Sequence, residues 1–229
     1  NIWANLLGQK LKERFPQLTL SEPRFEFIST VDVDNAWAYL HKGVFRTMGA
    51  ILKSAVRGNI GEAKNRLSVL TGEEQDPYAT YAFLNAVFEG NEDKVIFFFL
   101  LGDYARYDKN IHYKNRHFRK LIQETAGKYA VGIHPSYLSS KKKGKKRLAT
   151  EIRRLESATG QKTDKSRQHY IRLKFPRCYR RLIKAGIKKD YTMGYSTHSG
   201  FRAGICTPYH FYDLKKEKET ELADGMRFQ

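Results

Sequence analysis

Short blocks of apolar residues, spaced alternately for strands and for helices, run through most of the chain. Residues 24–33 (RFEFISTVDV) are rich in aromatic and β-branched side chains and predict a strand ending at Asp32–Asp34. Val44, Met48, Ile51, Leu52 and Ala55 recur at helical spacing, which predicts a helix stopping near residues 57–61. Residues 62–70 predict a second helix. Asp76-Pro77 reads as the N-cap and first residue of a third, ending near Gly90. Residues 95–101 (VIFFFLL) are apolar throughout, as in a strand buried on both faces. A helix over 114–126 closed by Gly127, a strand over 129–133, a helix over 148–158, a strand over 168–173, a helix over 176–185 and a brief strand over 187–189 follow. Residues 192–207 read as a loop with a strand near 203–206. This alternation predicts an α/β fold with a parallel sheet or barrel.

Charge changes the picture more than composition does. Aromatic residues at 13% and hydrophobic residues at 41% of 229 exclude a disordered chain. Forty-two Lys+Arg against 24 Asp+Glu give a net charge of +18, which asks for an anionic partner: nucleic acid, a membrane surface or an acidic polysaccharide. Two cysteines exclude a disulfide scaffold or a four-Cys zinc module, and Cys178 and Cys206 read as reduced core residues. The longest strongly apolar run, seven residues, is too short to span a membrane, so a soluble chain is expected, cytoplasmic or associated with the cell envelope. The start at Asn1 without Met suggests an excised portion of a longer protein.

Candidate chemistry gathers after the predicted strands. Asp32, Asp34, Asp103, His134 and Asp190 each follow one, and in a β/α barrel the C-terminal strand ends form the active face. Acids there also serve as helix caps and turn formers; Asp32, Asp34 and His134 together favour a site. In Thr30-Val31-Asp32-Val33-Asp34 the two carboxylates share one face of a strand. One could hold a metal while the other takes a proton from water. A neutral imidazole at His134, before Pro135, is a good zinc ligand. In Ser166-Arg167-Gln168-His169-Tyr170 the Arg could orient a carboxylate, and His169 could be a ligand or simply pack.

These segments resemble the polysaccharide deacetylases of the NodB-homology type (carbohydrate esterase family four), in a divergent bacterial branch. Thr30–Asp34 is similar to the family's first motif, TFDD. Phe97-Phe98-Phe99 with Gly102 resembles its TFF strand followed by Gly. Gly132-Ile133-His134 resembles the second motif, where a His opens HxxxH. RQHY at Arg167–Tyr170 resembles the third motif, RxPY, and DYTMG at Asp190–Gly194 the fourth. The likeness runs from about Phe25 to about Arg202. It implies a distorted (β/α)7 barrel, one domain over 1–229 that is incomplete at its C-terminus, and metal-dependent hydrolysis of an N-acetyl group from an amino-sugar glycan. It implies Asp32 as general base, Asp34 and His134 as ligands of a divalent metal, zinc in the family, and Arg167 as the partner that orients Asp32. The Tyr170 N–H would help stabilise the oxyanion, and Asp190 would tune the catalytic acid. Trp37, Asp103 and Arg202 are candidate substrate contacts.

The departures are specific. Val33 separates two Asp that the family places side by side. Leu138 stands where the second metal His should lie, and His169 stands where the third motif has Pro, a candidate for the missing ligand. No LxxH segment supplies the family's late catalytic His; His198 and His210 are the late histidines. Lys141–Arg147 carries six positive charges in seven residues, either a solvated loop or a clamp for an anionic glycan or headgroup. Three readings follow: a deacetylase, a catalytically silent glycan-binding module of the same type, and a nucleic-acid-binding protein using the basic run, for which no recognition motif is visible.

Overall fold

The computed structural model describes residues 2–20, 26–142 and 144–225. Helix α1 (Ile2–Arg14) leads to strand β1 (Ser29–Val33), then α2 (Val44–Val56), α3 (Ile60–Thr71) and α4 (Tyr81–Val87). Next come β2 (Val95–Phe99), α5 (Arg116–Ala126), β3 (Ala130–Ile133) and α6 (Lys145–Thr159). The chain finishes with β4 (Lys165–Ser166), α7 (Arg177–Lys184), β5 (Lys189–Asp190), β6 (Tyr209–Asp213) and β7 (Lys218–Asp224). The strands form one sheet in the order β1-β2-β3-β4-β5-β7-β6. Every pair is parallel except β6 with β7. Parallel neighbours need crossovers, and α2–α4, α5, α6 and α7 supply them between successive strands from β1 to β5.

Period-two alternation assigns each strand residue to a face. All five residues of β2 are buried. Phe97 and Phe99 point into the main core with Phe118, Ile122, Leu155, Tyr179 and Leu182 of the helices. Ile96 and Phe98 point the other way and pack with Tyr191. Gly132 sits beside Phe98 in the register. A Cβ there would lie 2.5 Å from the Phe98 ring, so the close approach of β3 to this ring requires glycine. Asn115 starts α5 by accepting hydrogen bonds from the N–H groups of His117 and Phe118. Gly160 ends α6 in the left-handed region at φ 74.

Several expectations need correction. The strand expected over 168–173 is absent: β4 stops at Ser166, and left-handed Tyr170 (φ 59) and Ile171 (φ 50) turn the chain out of the sheet. Residues 203–206 form no strand, and the β6–β7 hairpin takes the edge instead. Its signal is masked because two inward positions are acids, Asp213 and Asp224, paired with Arg180 and Tyr179 rather than apolar. Asp76 starts no helix; its carboxylate accepts the N–H groups of Ala38, Tyr39, Leu40 and Tyr78. Gly127 follows α5 in ordinary right-handed geometry. Cys178 is buried as expected, but Cys206 is exposed. The apolar positions whose spacing predicts α2 leave Val44, Met48 and Leu52 exposed. Residues 24 and 25 of the first predicted strand lie outside the described residues.

Candidate metal centre

Thr30, Asp32 and Asp34 fall on one side of β1 and its end, opposite Val31 and Val33, as alternation requires. His134 immediately follows β3, and its N–H donates to Phe99 O at 2.9 Å. Arg167 follows β4, its N–H bonded to Ile133 O at 3.0 Å, and His169 N–H donates to Pro135 O at 3.1 Å. These backbone bonds carry the parallel ladder past the strand ends. They set three side chains from three different strand ends around one point.

The side chains converge closely. Asp34 Oδ1 lies 3.1 Å from His134 Nε2 and 3.5 Å from His169 Nε2. One ligand atom from each of the three residues falls within 4.8 Å of the others. Asp32 Oδ1 lies 3.2 Å from Arg167 Nη1 and 4.0 Å from His134 Nδ1. Arg167 also donates to Thr30 Oγ1 at 2.6 Å and stands over the Phe98 ring. Its side chain is 2% exposed, so a buried guanidinium holds Asp32 in place. Asp34 is half exposed, which leaves the cluster open to solvent on one side.

Asp108 was not marked by any pattern in the sequence. It is fully buried, and its Oδ1 meets His169 Nδ1 at 3.0 Å while accepting the Tyr137 N–H at 2.8 Å. That bond fixes the His169 ring so that Nε2 faces Asp34, an arrangement typical of metal-ligating histidines. A run of polar residues in a loop gives no hint of this; only the approach of residues 104–110 to the turn after β4 creates it. Ser136 is tied down similarly: its Oγ–H and N–H both donate to the buried Glu151 of α6, at 2.6 and 2.9 Å.

Electrostatics matches the geometry. Burial alone would raise the Asp34 carboxyl, but hydrogen bonds and charge from His134 and His169 hold it well below the usual carboxylate range. Burial opposes protonation of His169, yet Asp108 and Asp34 together push it up to about 9. Burial, with the nearby Asp224 adding, pushes Asp190 up to about 7.

The donor set suits a divalent ion. Two imidazoles and one carboxylate are a common open-site combination for zinc. Tetrahedral ligand atoms about 2.1 Å from such an ion stand roughly 3.4 Å apart. The observed separations of Asp34 from the two imidazole nitrogens, 3.1 and 3.5 Å, bracket that figure. His134 Nδ1 has no hydrogen-bond partner, so Nε2, which faces Asp34 Oδ1 at 3.1 Å, is the ring nitrogen turned toward the cluster. Leu138 brings no donor to this cluster, and His169 is the third residue that could hold an ion there.

The remaining sequence candidates separate. Tyr170 is exposed beside His169, ring centroids 4.4 Å apart. Asp190 is buried below the sheet end, bonded to Ser166 Oγ at 2.5 Å and to Thr192 N–H at 3.1 Å, out of reach of any substrate. Asp103 is engaged by Arg154 and by Arg147 of the basic run. Trp37 packs against the main core and edge-on to His41, and Arg202 sits exposed in a turn. The basic run is no free tether: Arg181 of α7 donates to Lys141 O and Lys142 O, both at 2.5 Å. Lys143 lies outside the described residues.

No protein-family profile and no curated protein sequence matches the chain. Among solved structures it is similar to one named "putative polysaccharide deacetylase from Mycobacterium smegmatis", with 15% identity and a TM-score of 0.51. The match covers 90% of this chain and 60% of that one. The likeness is one of fold: a mixed α/β molecule with a mostly parallel seven-stranded sheet, related to a polysaccharide-deacetylase-like structure.

Proposed function

We propose that the chain is a metal-dependent hydrolase that removes N-acetyl groups from an amino-sugar glycan. The observation that carries this reading is the convergence of Asp34, His134 and His169 beside the Asp32–Arg167 pair at the C-terminal ends of parallel strands. In this reading the sheet is part of a distorted (β/α)7 barrel, a single domain spans 1–229, and the ion is zinc. Asp34, His134 and His169 would hold it. When bound, the ion supplies Lewis acidity toward the amide carbonyl and toward water.

The chain's own groups do the rest. Asp32 takes the proton of the attacking water on a carboxylate oxygen. Arg167 aims that carboxylate through the 3.2 Å contact, and Thr30 Oγ1 fixes the guanidinium. In this reading the Tyr170 N–H would help stabilise the developing oxyanion. Asp190 is a positioning residue, acting through Ser166 and Thr192. Trp37 and Tyr170 are rings a sugar could meet, whereas Asp103 is spent on Arg154. A second reading, a silent glycan-binding module, is favoured by one observation: Leu138 replaces the family's second ligand, and no late LxxH segment stands in for the acid.

Metal analysis of the purified chain tests the centre. We expect about one zinc per chain, lost in Asp34→Ala; no bound zinc, cobalt or nickel in the unaltered protein would sink the reading. Acetate release from N-acetylglucosamine oligomers, abolished in Asp32→Asn, separates the enzyme from the silent module.

A further inference from the structure

A cavity of about 660 Å³ opens between the loop after β1, the first turn of α2 and the segment joining β2 to α5. Lys42, Arg46, Lys114, His41, His112 and Tyr104 line much of it, and no Asp or Glu does. None of the three residues of the metal centre belongs to it. A cavity of the same size between α7 and the β6–β7 hairpin mixes both signs of charge, with Asp213, Glu219 and Glu221 among its lining.

One of the cations, Arg46, is held in place rather than left to sample solvent. Arg46 donates to Asn110 O at 3.3 Å and Lys109 O at 2.9 Å, with its guanidinium 4.4 Å from the Tyr104 ring centroid. Asn115 Nδ2 donates to His41 O at 3.0 Å, and His41 keeps a left-handed φ of 58. Non-glycine residues held there cluster at ligand clamps. The nearby carboxylates are spoken for: Asp76 by four backbone N–H groups, and Glu62 by Arg66 at 3.2 Å. Burial, followed by Arg46 and Arg66, brings Lys42 down to about 8 despite Asp76. An anion among these cations would favour the charged form of Lys42.

We propose that this cavity binds an oxyanion, a carboxylate or phosphate group carried by the same glycan whose N-acetyl group meets Asp34, His134 and His169. The choice of a glycan rests on the deacetylase reading; the oxyanion site itself does not. The two sites share one side of the sheet, since both are built from the loops that follow β1 and the strands beside it. His41 lies seven residues beyond Asp34, a reach of at most about 25 Å. The function of the site is selectivity for acidic over neutral N-acetylated glycans.

Titration calorimetry on the full chain tests this with four probes: a tetrasaccharide alternating glucuronate and N-acetylglucosamine, the neutral N-acetylglucosamine tetramer, inorganic phosphate, and oligothymidylate. The acidic tetrasaccharide should bind roughly ten-fold tighter than the neutral one, as for a charge-assisted contact. That preference should vanish in Lys42→Gln/Arg46→Gln, weaken several-fold in Lys114→Gln and survive in Asp34→Asn. Survival in Asp34→Asn without acetate release in the unaltered chain would support the oxyanion site while overturning the enzyme. Inorganic phosphate should compete with the acidic tetrasaccharide; phosphate bound but not displaced by it would overturn the glycan as the source. Equal affinity for acidic and neutral tetramers, or a preference unchanged in Lys42→Gln/Arg46→Gln and in Lys114→Gln, would overturn the proposal. So would tighter, Lys42- and Arg46-dependent binding of oligothymidylate. If the double variant fails to fold by circular dichroism, Lys114→Gln carries the test.

Discussion

His169 is held from both sides, by Asp34 at Nε2 and by Asp108 at Nδ1, so its ring orientation is decided before any ion arrives. Asp108→Asn preserves shape but lets the amide nitrogen face the ring, which removes the fixed acceptor. Loss of such an outer partner typically costs 10–100-fold in metal affinity, roughly. We expect a drop of that order in zinc affinity, read by competition with a chelating dye, with little change in the unfolding midpoint of the chelator-treated protein. Unchanged affinity would make Asp108 a packing residue. At this scale the sequence named Asp34, His134 and His169 because residue type and position carry ligand chemistry. Asp108 stayed hidden because a loop carboxylate has no pattern until tertiary structure sets it against a ring.

At the scale of elements, the site depends on how closely β3 approaches β2. Phe98 lies on the same face as Asp32, paired with it in register, and forms the floor beneath Arg167. Gly132 leaves room for that ring. A Cβ at 132 would meet Phe98 at 2.5 Å and Lys165 O at 2.9 Å, one of them backbone, so relief must come from movement of β4 or of the ring. Gly132→Ala should therefore lower stability by about 1–3 kcal/mol in urea unfolding and also weaken zinc uptake, because β3 carries His134. Normal stability would show that the strands part without cost. The strong apolar run made β2 legible, and helical spacing with the glycine after it made α6 legible. The turn at 168–171 and the β6–β7 hairpin were not: left-handed Tyr170 and inward acids obey contacts made elsewhere in the chain.

At the scale of the whole molecule, buried acids tie stability to pH. Asp190 and Glu151 are both raised to about 7, from 3.8 and 4.5, chiefly by burial. A carboxyl raised in the folded state binds its proton more tightly there than in the unfolded chain. Its contribution to stability is complete below the unfolded value and is lost as pH rises through about 7. Scanning calorimetry of the metal-free chain should show Tm falling between pH 5 and pH 8. The slope should be shallower in Asp190→Asn, and shallower again with Glu151→Gln added. A slope indifferent to both would mean that these groups keep their charge when buried. The described residues contain no helix long and apolar enough to cross a membrane.

The sequence by itself determined the α/β alternation, the excess of positive charge and the acids and histidines at strand ends. Those are properties of local spacing and of residue chemistry, and they survive without a third dimension. Only tertiary structure decided that His169, a candidate in the sequence, converges with Asp34 and His134, that Asp103 is spent on Arg154, and that Val44, Met48 and Leu52 of α2 are exposed. It also decided where part of the charge of +18 gathers. The conspicuous run at Lys141–Arg147 is partly pinned by Arg181 and partly paired with Asp103. Lys42, Arg46 and Lys114, scattered along the chain, share one cavity without a carboxylate because folding brings the loops after β1 and β2 together.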